Sequence, residues 1–193
     1  MTMTSLVQPA IDIASFFTVI ADVLIVVLFV LLLTPLQEKG IGKKIARFFG
    51  RRAMLFSFLI TAVSVLGSLF FSNVANFAPC LLCWIQRGLL YTEAVILFVA
   101  MLARKDERVR MYQRFVEKSC IALSAIGFPI AAYNVYLQLG GGAIIPCSAT
   151  GPDCAYVYFI RFGYVTIPTM ALTAFALILA FMLLKDDAGV KEV

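Results

Sequence analysis

The sequence has 193 residues, of which 62% are hydrophobic, and its formal net charge is +5. A soluble domain is usually only about half apolar, and a chain of this length could not bury so much apolar surface in a water-soluble core. The composition therefore excludes a soluble globular protein and predicts a protein of the lipid bilayer.

Five apolar segments are long enough to cross a hydrocarbon core of about 30 Å, which takes about 20 helical residues. No linker or charge block divides them, so we predict an all-α polytopic membrane protein with a single domain over residues 1–193. The first segment is predicted to be a retained helix rather than a signal peptide, because residues 1–12 hold no Lys or Arg and the apolar run is too long. The predicted helices cover residues 13–35, 53–73, 81–103, 119–139 and 164–184.

The basic residues are concentrated in alternate loops between these helices. Six lie between positions 36 and 52, and six between positions 104 and 118. Short loops rich in Lys and Arg remain on the cytoplasmic side, so the N-terminus is predicted outside and the C-terminus inside. The loops 74–80 and 140–163 then face outward. This clustering indicates membrane orientation, not a nucleic-acid-binding face.

Four of the five cysteines are predicted to lie on the outer side, where disulfides form and persist. They are Cys80 and Cys83 at the start of the third helix, and Cys147 and Cys154 in the second outer loop. Cys120, in an apolar inner context, is predicted to be an inert buried residue. The absence of histidine excludes mixed Cys/His zinc sites, c-type haem attachment and His-assisted nucleophilic catalysis. We predict no metal, although the cysteine count alone leaves a four-cysteine zinc site open.

The Cys80/Cys83 pair is predicted to be a redox pair rather than a structural staple. A disulfide across three positions constrains little of the chain, whereas Cys-x-x-Cys is the spacing of redox dithiols. Pro79 favours a helix start here, where unpaired N–H groups and the helix dipole favour a thiolate. For Cys147 and Cys154, both a structural and a redox disulfide stay open.

Arg87 follows Cys80 by seven residues and Cys83 by four, so the three side chains form one stripe on a helix. An arginine inside an apolar segment is expensive and marks a functional site by default. Its guanidinium could reach outward to the lipid headgroups. Alternatively, it binds an electronegative group beside the thiols, for which the carbonyl of a lipid-soluble quinone is suited. Glu93 lies about 120° round the helix from Arg87 and is expected to face another helix.

The stretch "PCLLCWIQR" resembles the active-site signature of the DsbB/BdbC-type disulfide bond formation proteins, in which Cys-x-x-Cys is followed after three more residues by a quinone-associated arginine. The later stretch "PCSATGPDCAYVYFIRFGYVTIPTMAL" resembles the second outer loop and last helix of the short-loop, BdbC-like members. The similarity covers roughly residues 53–184. The family core is a bundle of four transmembrane helices, so this chain carries an extra N-terminal helix whose role the resemblance does not supply.

The resemblance implies a thiol:quinone oxidoreductase of the bacterial plasma (inner) membrane that supports disulfide bond formation. Its partner would be a secreted or periplasmic thioredoxin-fold dithiol oxidase (DsbA-like), and its cofactor ubiquinone or menaquinone. By position, Cys147 would form the mixed disulfide with the partner and Cys154 would leave. Cys154 would then attack Cys80 and release Cys83 as a thiolate beside the quinone, which Arg87 holds.

The residues agree with this order of transfer, because the loop thiols are expected to be exposed to a protein substrate and "GGGAII" gives the loop backbone freedom. Three alternatives remain. In a vitamin-K-epoxide-reductase-like relay the loop pair precedes the Cys-x-x-Cys, whereas here it follows. A reducing relay needs an inner electron source, for which Cys120 alone is poor. A scaffold or small transporter with stapled outer loops, using Asp22 and Glu93 as ion-coupling carboxylates, leaves Arg87 unexplained.

Overall fold

The computed structural model describes residues 4–33, 40–102, 107–143, 147 and 152–190. The described residues contain no strand, only an isolated bridge between Arg161 and Val165. Five of the helices are long and apolar enough to cross a membrane, which confirms the predicted all-α membrane fold. In chain order the helices are α1 (Thr4–Leu33), α2 (Gly40–Arg51), α3 (Ala53–Asn73), α4 (Leu81–Leu102), α5 (Glu107–Gln138) and α6 (Ile167–Val190).

The predicted boundaries of α3 and α4 hold within one residue, but α1 and α5 are longer than predicted. Helix α1 begins at Thr4 and contains Pro9, whose missing N–H removes one hydrogen bond near the helix start. Helix α5 begins at Glu107, twelve residues before the predicted start at residue 119. Hydropathy locates the part of a helix that lies in lipid, whereas Glu, Arg, Lys and Gln extend the helix beyond the apolar stretch.

Helix α2 lies in the stretch predicted to be a basic loop, and it corrects that prediction. Its sequence, GIGKKIARFFGR, carries cations and apolar residues on different faces. The ring of Phe49 stacks on Phe181 of α6 at 5.5 Å between centroids. Arg47 and Arg51 remain exposed. An amphipathic helix of this kind suits the interface between lipid and water.

Helix α6 is the centre of the bundle. It packs against α1, α2, α3 and α5, and 61% of its most apolar stretch is buried, against 17% for α1 and for α3. Phe175, Ile178 and Met182 are fully buried in the main apolar core. Because α1 and α3 both pack against α6, they flank the space beside it.

The cysteine end of the bundle, defined by Cys80, Cys147 and Cys154, is closed by two connecting segments. Tyr158 stacks on Phe77 at 4.5 Å between ring centroids, and its hydroxyl donates to the carbonyl of Ala78 at 2.8 Å. These contacts join the segment between α3 and α4 to the segment before α6. They fix the approach to the helix start that carries the first cysteine pair.

Candidate active site

Cys80 occupies the N-cap position of α4. Its carbonyl accepts the backbone N–H of Trp84 at 3.0 Å, and its sulfur accepts the backbone N–H of Cys83 at 3.4 Å. The side chain thus takes the place that Ser or Asp often fills at a helix start, where it satisfies an unpaired N–H group. The Cys80 and Cys83 sulfurs lie 2.7 Å apart, as free thiols.

The sulfur of Cys80 is surrounded by donors. The hydrogen bond from the Cys83 thiol, with those from the backbone and from Asn134, lowers the pKa of Cys80 to about 6, although burial opposes the shift. Asn134 on α5 is fully buried, and its Nδ2 lies 3.9 Å from the Cys80 sulfur and 3.6 Å from the Cys83 sulfur. The site therefore favours a thiolate at the helix start at neutral pH.

Cys147 and Cys154 form a disulfide with 5.9 Å between their Cα atoms. They are only 8% and 2% exposed, and they pack in one apolar cluster with Cys80 and Leu137. The expectation that the loop thiols are exposed to a protein substrate is wrong for this structure. Cys147 and Cys154 lie against the end of α5 and the start of α4, which places them beside the first cysteine pair.

Arg87 lies inside the bundle and points toward α3. Its side chain is 9% exposed. Its Nε donates to the hydroxyl of Ser68 at 2.5 Å and its Nη2 to the carbonyl of Ser68 at 2.8 Å. The guanidinium carbon also lies 5.3 Å from the ring centre of Trp84. The guanidinium is therefore held within the protein and does not extend to the headgroups.

One cavity of about 820 Å³ joins these groups. Cys80, Cys83, Cys154 and Arg87 all line it at the cysteine end, and its walls continue between α1, α3 and α6. The amide Nε2 of Gln86, another lining residue, is buried without a hydrogen-bond partner. The cavity therefore has a polar, sulfur-bearing end and a long apolar remainder.

Three other residues discussed in the sequence analysis do not line the cavity, and they are Glu93, Cys120 and Asp22. Glu93 is fully buried and accepts a hydrogen bond from Ser124 of α5 at 2.6 Å, which confirms that it faces another helix. Cys120 is also fully buried. Asp22 accepts hydrogen bonds from the segment before α6 and from α6 itself.

Two polar residues of the site were not predicted from the sequence. Asn134 bonds to the sulfurs of Cys80 and Cys83, and Ser68 accepts the hydrogen bonds of Arg87. The signal for Asn134 was an amide within an apolar segment, which is costly in lipid unless it has partners. Ser68 carried no signal, because serine commonly bonds within its own helix when it lies in a membrane segment.

The chain is similar to known disulfide bond formation proteins. A family model described as "Disulfide bond formation protein DsbB" matches residues 50–185. Disulfide bond formation protein C of Bacillus subtilis (strain 168) is 38% identical over 134 residues, which cover 68% of this chain and 91% of that protein. A probable disulfide formation protein of Metapseudomonas resinovorans is 35% identical over 133 residues, which cover 68% of this chain and 87% of that protein.

The chain belongs to the DsbB family. Membership makes it a membrane thiol oxidoreductase that acts in disulfide bond formation. The match over residues 50–185 agrees with the core predicted over 53–184. Nearly all of α1 and α2 lie outside that match, so the family accounts for the four-helix core and not for the helices that precede it. No solved structure matches the chain.

Proposed function

We propose that this DsbB-family chain is a thiol:quinone oxidoreductase whose cysteine end lies outside the cytoplasm. It re-oxidises a secreted or periplasmic thioredoxin-fold dithiol oxidase (DsbA-like) and passes the electrons to a membrane quinone, ubiquinone or menaquinone. The observation that carries this proposal is the single cavity that reaches Cys80, Cys83, Cys154 and Arg87 and then continues between apolar helix faces. The end of the cavity that carries the sulfurs suits thiol exchange, and the apolar end suits a lipid-soluble ligand.

The residues of the cavity fit a quinone. Its volume of about 820 Å³ falls in the range of about 300–1,000 Å³ usual for small-molecule sites. Arg87 would hold a ring oxygen, because its guanidinium lines the cavity and its charge attracts an electronegative atom. The buried Nε2 of Gln86 has a donor to spare. When bound, a quinone supplies an acceptor for two electrons and two protons.

The first exchange transfers two electrons from the partner to the loop pair. Because Cys147 is only 8% exposed, docking of the reduced partner has to uncover its sulfur. A thiolate of the partner then attacks the sulfur of Cys147, the Cys147–Cys154 bond breaks, and Cys154 leaves as a thiolate. The second thiol of the partner then closes the partner's own disulfide and releases Cys147. The partner is oxidised by two electrons, and the loop cysteines are reduced to a dithiol.

The second exchange takes place within the chain. Starting from the oxidised helix pair, the thiolate of Cys154 attacks Cys80, the Cys80–Cys83 bond breaks, and Cys83 leaves as a thiolate. Cys147 then attacks Cys154, restores the loop disulfide and releases Cys80. The buried cluster shared by Cys80, Cys147 and Cys154 supports this step, because no large movement has to bring the sulfurs together. Oxidation of the helix dithiol completes the cycle.

The experiment that tests the proposal follows the mixed disulfide between chain and partner. With the oxidised form of a thioredoxin-fold dithiol protein, we expect the lone Cys147 thiolate of Cys154→Ser to attack the partner's disulfide, so that one partner cysteine leaves as a thiolate and a mixed disulfide forms at Cys147. This mixed disulfide should accumulate, because the Cys154 thiol that would attack Cys147 and release the reduced partner is missing. The matched variant Cys147→Ser should accumulate none. Quinone added with the reduced partner should be turned over by the parent and by neither variant. Equal trapping by both variants, or unimpaired turnover in either one, would contradict the assigned roles.

A further inference from the structure

Helix α1 presents one continuous face to the cavity. The lining positions recur with helical spacing, and they are Ala10, Ile13, Ala14, Phe17, Thr18 and Ala21. This face spans about 16 Å along the axis at 1.5 Å per residue. Phe17 is 64% exposed and Ile13 58% exposed, so these two apolar side chains stand at the cavity without protein packed over them.

Polar contacts hold α1 against the rest of the bundle at two levels. Near the cysteine end, Arg161 Nε lies 2.8 Å from Asp12 Oδ1 as an ion pair, and Arg161 Nη2 donates to Gln8 Oε1 at 2.6 Å. Deeper, both carboxylate oxygens of Asp22 accept hydrogen bonds at 2.7 Å, one from Tyr164 and one from Thr173. A carboxylate is costly within an apolar helix. These two donors give Asp22 a structural reason to be there, because they fix α1 on α6.

The arrangement of polar and apolar groups along the cavity indicates which part of a ligand would meet α1. Arg87, Gln86 and Cys83 lie at the polar end on α4. The wall formed by α1 faces apolar lining residues of α3 and α6, such as Val63 and Leu177. A ligand with a polar ring and an apolar chain would therefore place its ring at α4 and its chain between α1, α3 and α6.

We propose that α1 is a binding wall for the isoprenoid tail of the quinone, with Phe17 as its main contact. This inference rests on the proposed function and deepens it. Because α1 lies outside the residues that match the family, the wall is a specificity element that this chain adds to the four-helix core. It makes the affinity for a tailed quinone depend on a helix that carries none of the redox cysteines.

A matched pair of neighbouring phenylalanines tests the proposal. Phe17 lines the cavity, whereas Phe16, which is 57% exposed, does not. Binding is measured without turnover by quenching of the fluorescence of Trp84, the single tryptophan, whose ring lies beside the Arg87 guanidinium. For a quinone with an isoprenoid tail, we expect Phe17→Ala to raise Kd about fivefold through lost apolar contact. Phe16→Ala should leave Kd unchanged.

A tailless benzoquinone supplies the second arm. Its Kd should be the same in the parent, Phe17→Ala and Phe16→Ala, because a ring alone does not reach α1. As an independent variant, Ala14→Phe should weaken binding of the tailed quinone by filling the cavity, and it leaves Trp84 as the single tryptophan. Val23→Phe, at a position that is 62% exposed and outside the lining, should not weaken binding. Thermal melts of all four variants establish that they are folded.

The outcomes separate this proposal from the one on which it rests. If the parent binds the tailed quinone and Phe17→Ala and Ala14→Phe both bind it as the parent does, the tail-binding wall is refuted and the quinone function stands. If Phe17→Ala weakens tailed and tailless quinones equally, the wall contacts the ring and the assignment to the tail is refuted. If the parent neither binds nor reduces either quinone, the proposed function itself fails.

Discussion

Arg87 carries a buried positive charge whose hydrogen-bond acceptors are neutral. Both of its bonds go to Ser68, and within the described residues no carboxylate lies close enough to form an ion pair with it. A charge in a poorly hydrated site without a counter-ion is costly. That cost is offset if the ligand or the neighbouring thiolate supplies the negative partner, which is the role we propose for the quinone oxygen and the helix cysteines.

Substitution of Arg87 tests this role. Arg87→Met keeps much of the apolar stem and removes the charge, so we expect the apparent KM for quinone to rise roughly tenfold or more, with some loss of kcat. Arg87→Lys keeps the charge without the planar donor fork, and its defect should be smaller. Quinone-titrated turnover beside a thermal melt measures both effects. A Met variant that turns over quinone like the parent would leave Arg87 without a role in binding.

Asn134 is predicted to help hold the thiolate form of Cys80. Because donors lower the pKa of Cys80 to about 6, its alkylation rate should rise as pH increases through about 6 and level off above it. Asn134→Leu removes one donor and should move this midpoint to higher pH. Gln138→Leu is the matched control, since its amide lies one turn further along and bonds to the carbonyl of Tyr156. The effect of Asn134 is isolated by measuring Cys80 alkylation against pH in a Cys83→Ser background for parent and variants alike. Because the Cys83 thiol is the largest cause of the lowered pKa of Cys80, this background has its own midpoint, and only the differences between the three proteins are compared. Identical midpoints in all three proteins would contradict it.

At the level of single residues, sequence spacing located the sulfurs and Arg87 but not the groups that hold them. Cys80, Cys83 and Arg87 share a helix, so their common face follows from helical geometry alone. Asn134 and Ser68 reach the same place from α5 and α3, across 51 and 19 residues of sequence. Without knowledge of which helices pack together, neither could be assigned to the site.

Among the helices, α2 is an element that the interpretation of its charges as a basic loop did not predict. Its Lys and Arg residues indicate a cytoplasmic segment, and the same residues occupy one side of a helix whose other side carries Phe49. The ring centroids of Phe49, Phe56 and Phe181 lie within 5.5 Å of one another and join α2, α3 and α6, with Phe181 stacked on the other two rings. The alternation of apolar and basic residues at helical spacing was available in the sequence and predicts such a helix.

Removal of the Phe49 ring should therefore destabilise the basic end of the bundle, which is the end that carries α2 with Lys44, Arg47 and Arg51. We expect Phe49→Ala to cost about 2 kcal/mol, because the ring is stacked between two helices and its loss leaves a void. Phe48→Ala is the neighbouring control. Its ring is 47% exposed, and its loss should cost less than half as much. Thermal unfolding in detergent compares the two, and a larger loss for Phe48→Ala would contradict the packing described for α2.

For the whole molecule, the sequence predicted a helix preceding a four-helix core, but not the burial of the loop disulfide. The length of an apolar segment and the clustering of charges are properties of a short stretch of sequence, so membrane-spanning helices can be predicted from them without knowledge of the packing. The burial of Cys147 and Cys154 depends on how their loop meets Leu137 and Cys80. That contact is set by the arrangement of α4 and α5, which no local pattern specifies.

The proposed orientation of the molecule can be tested with two introduced cysteines. Leu139, at the cysteine end, is 82% exposed, and Lys44, on α2 at the basic end, is also exposed. In intact cells, a membrane-impermeant thiol reagent should label Leu139→Cys above the background of the parent. It should label Lys44→Cys only after the membrane is opened. The reverse pattern would place the redox cysteines in the cytoplasm and contradict the proposed partner.

The central claim is that electrons leave the chain from the helix pair and not from the loop pair. A single-turnover measurement with purified, chemically reduced protein and excess quinone tests it most directly. The variant that retains only Cys80 and Cys83, with Cys147→Ser and Cys154→Ser, should reduce one equivalent of quinone per chain. The variant that retains only Cys147 and Cys154 should reduce none. Quinone reduction by the loop pair alone, or the absence of reduction by the helix pair, would contradict the account.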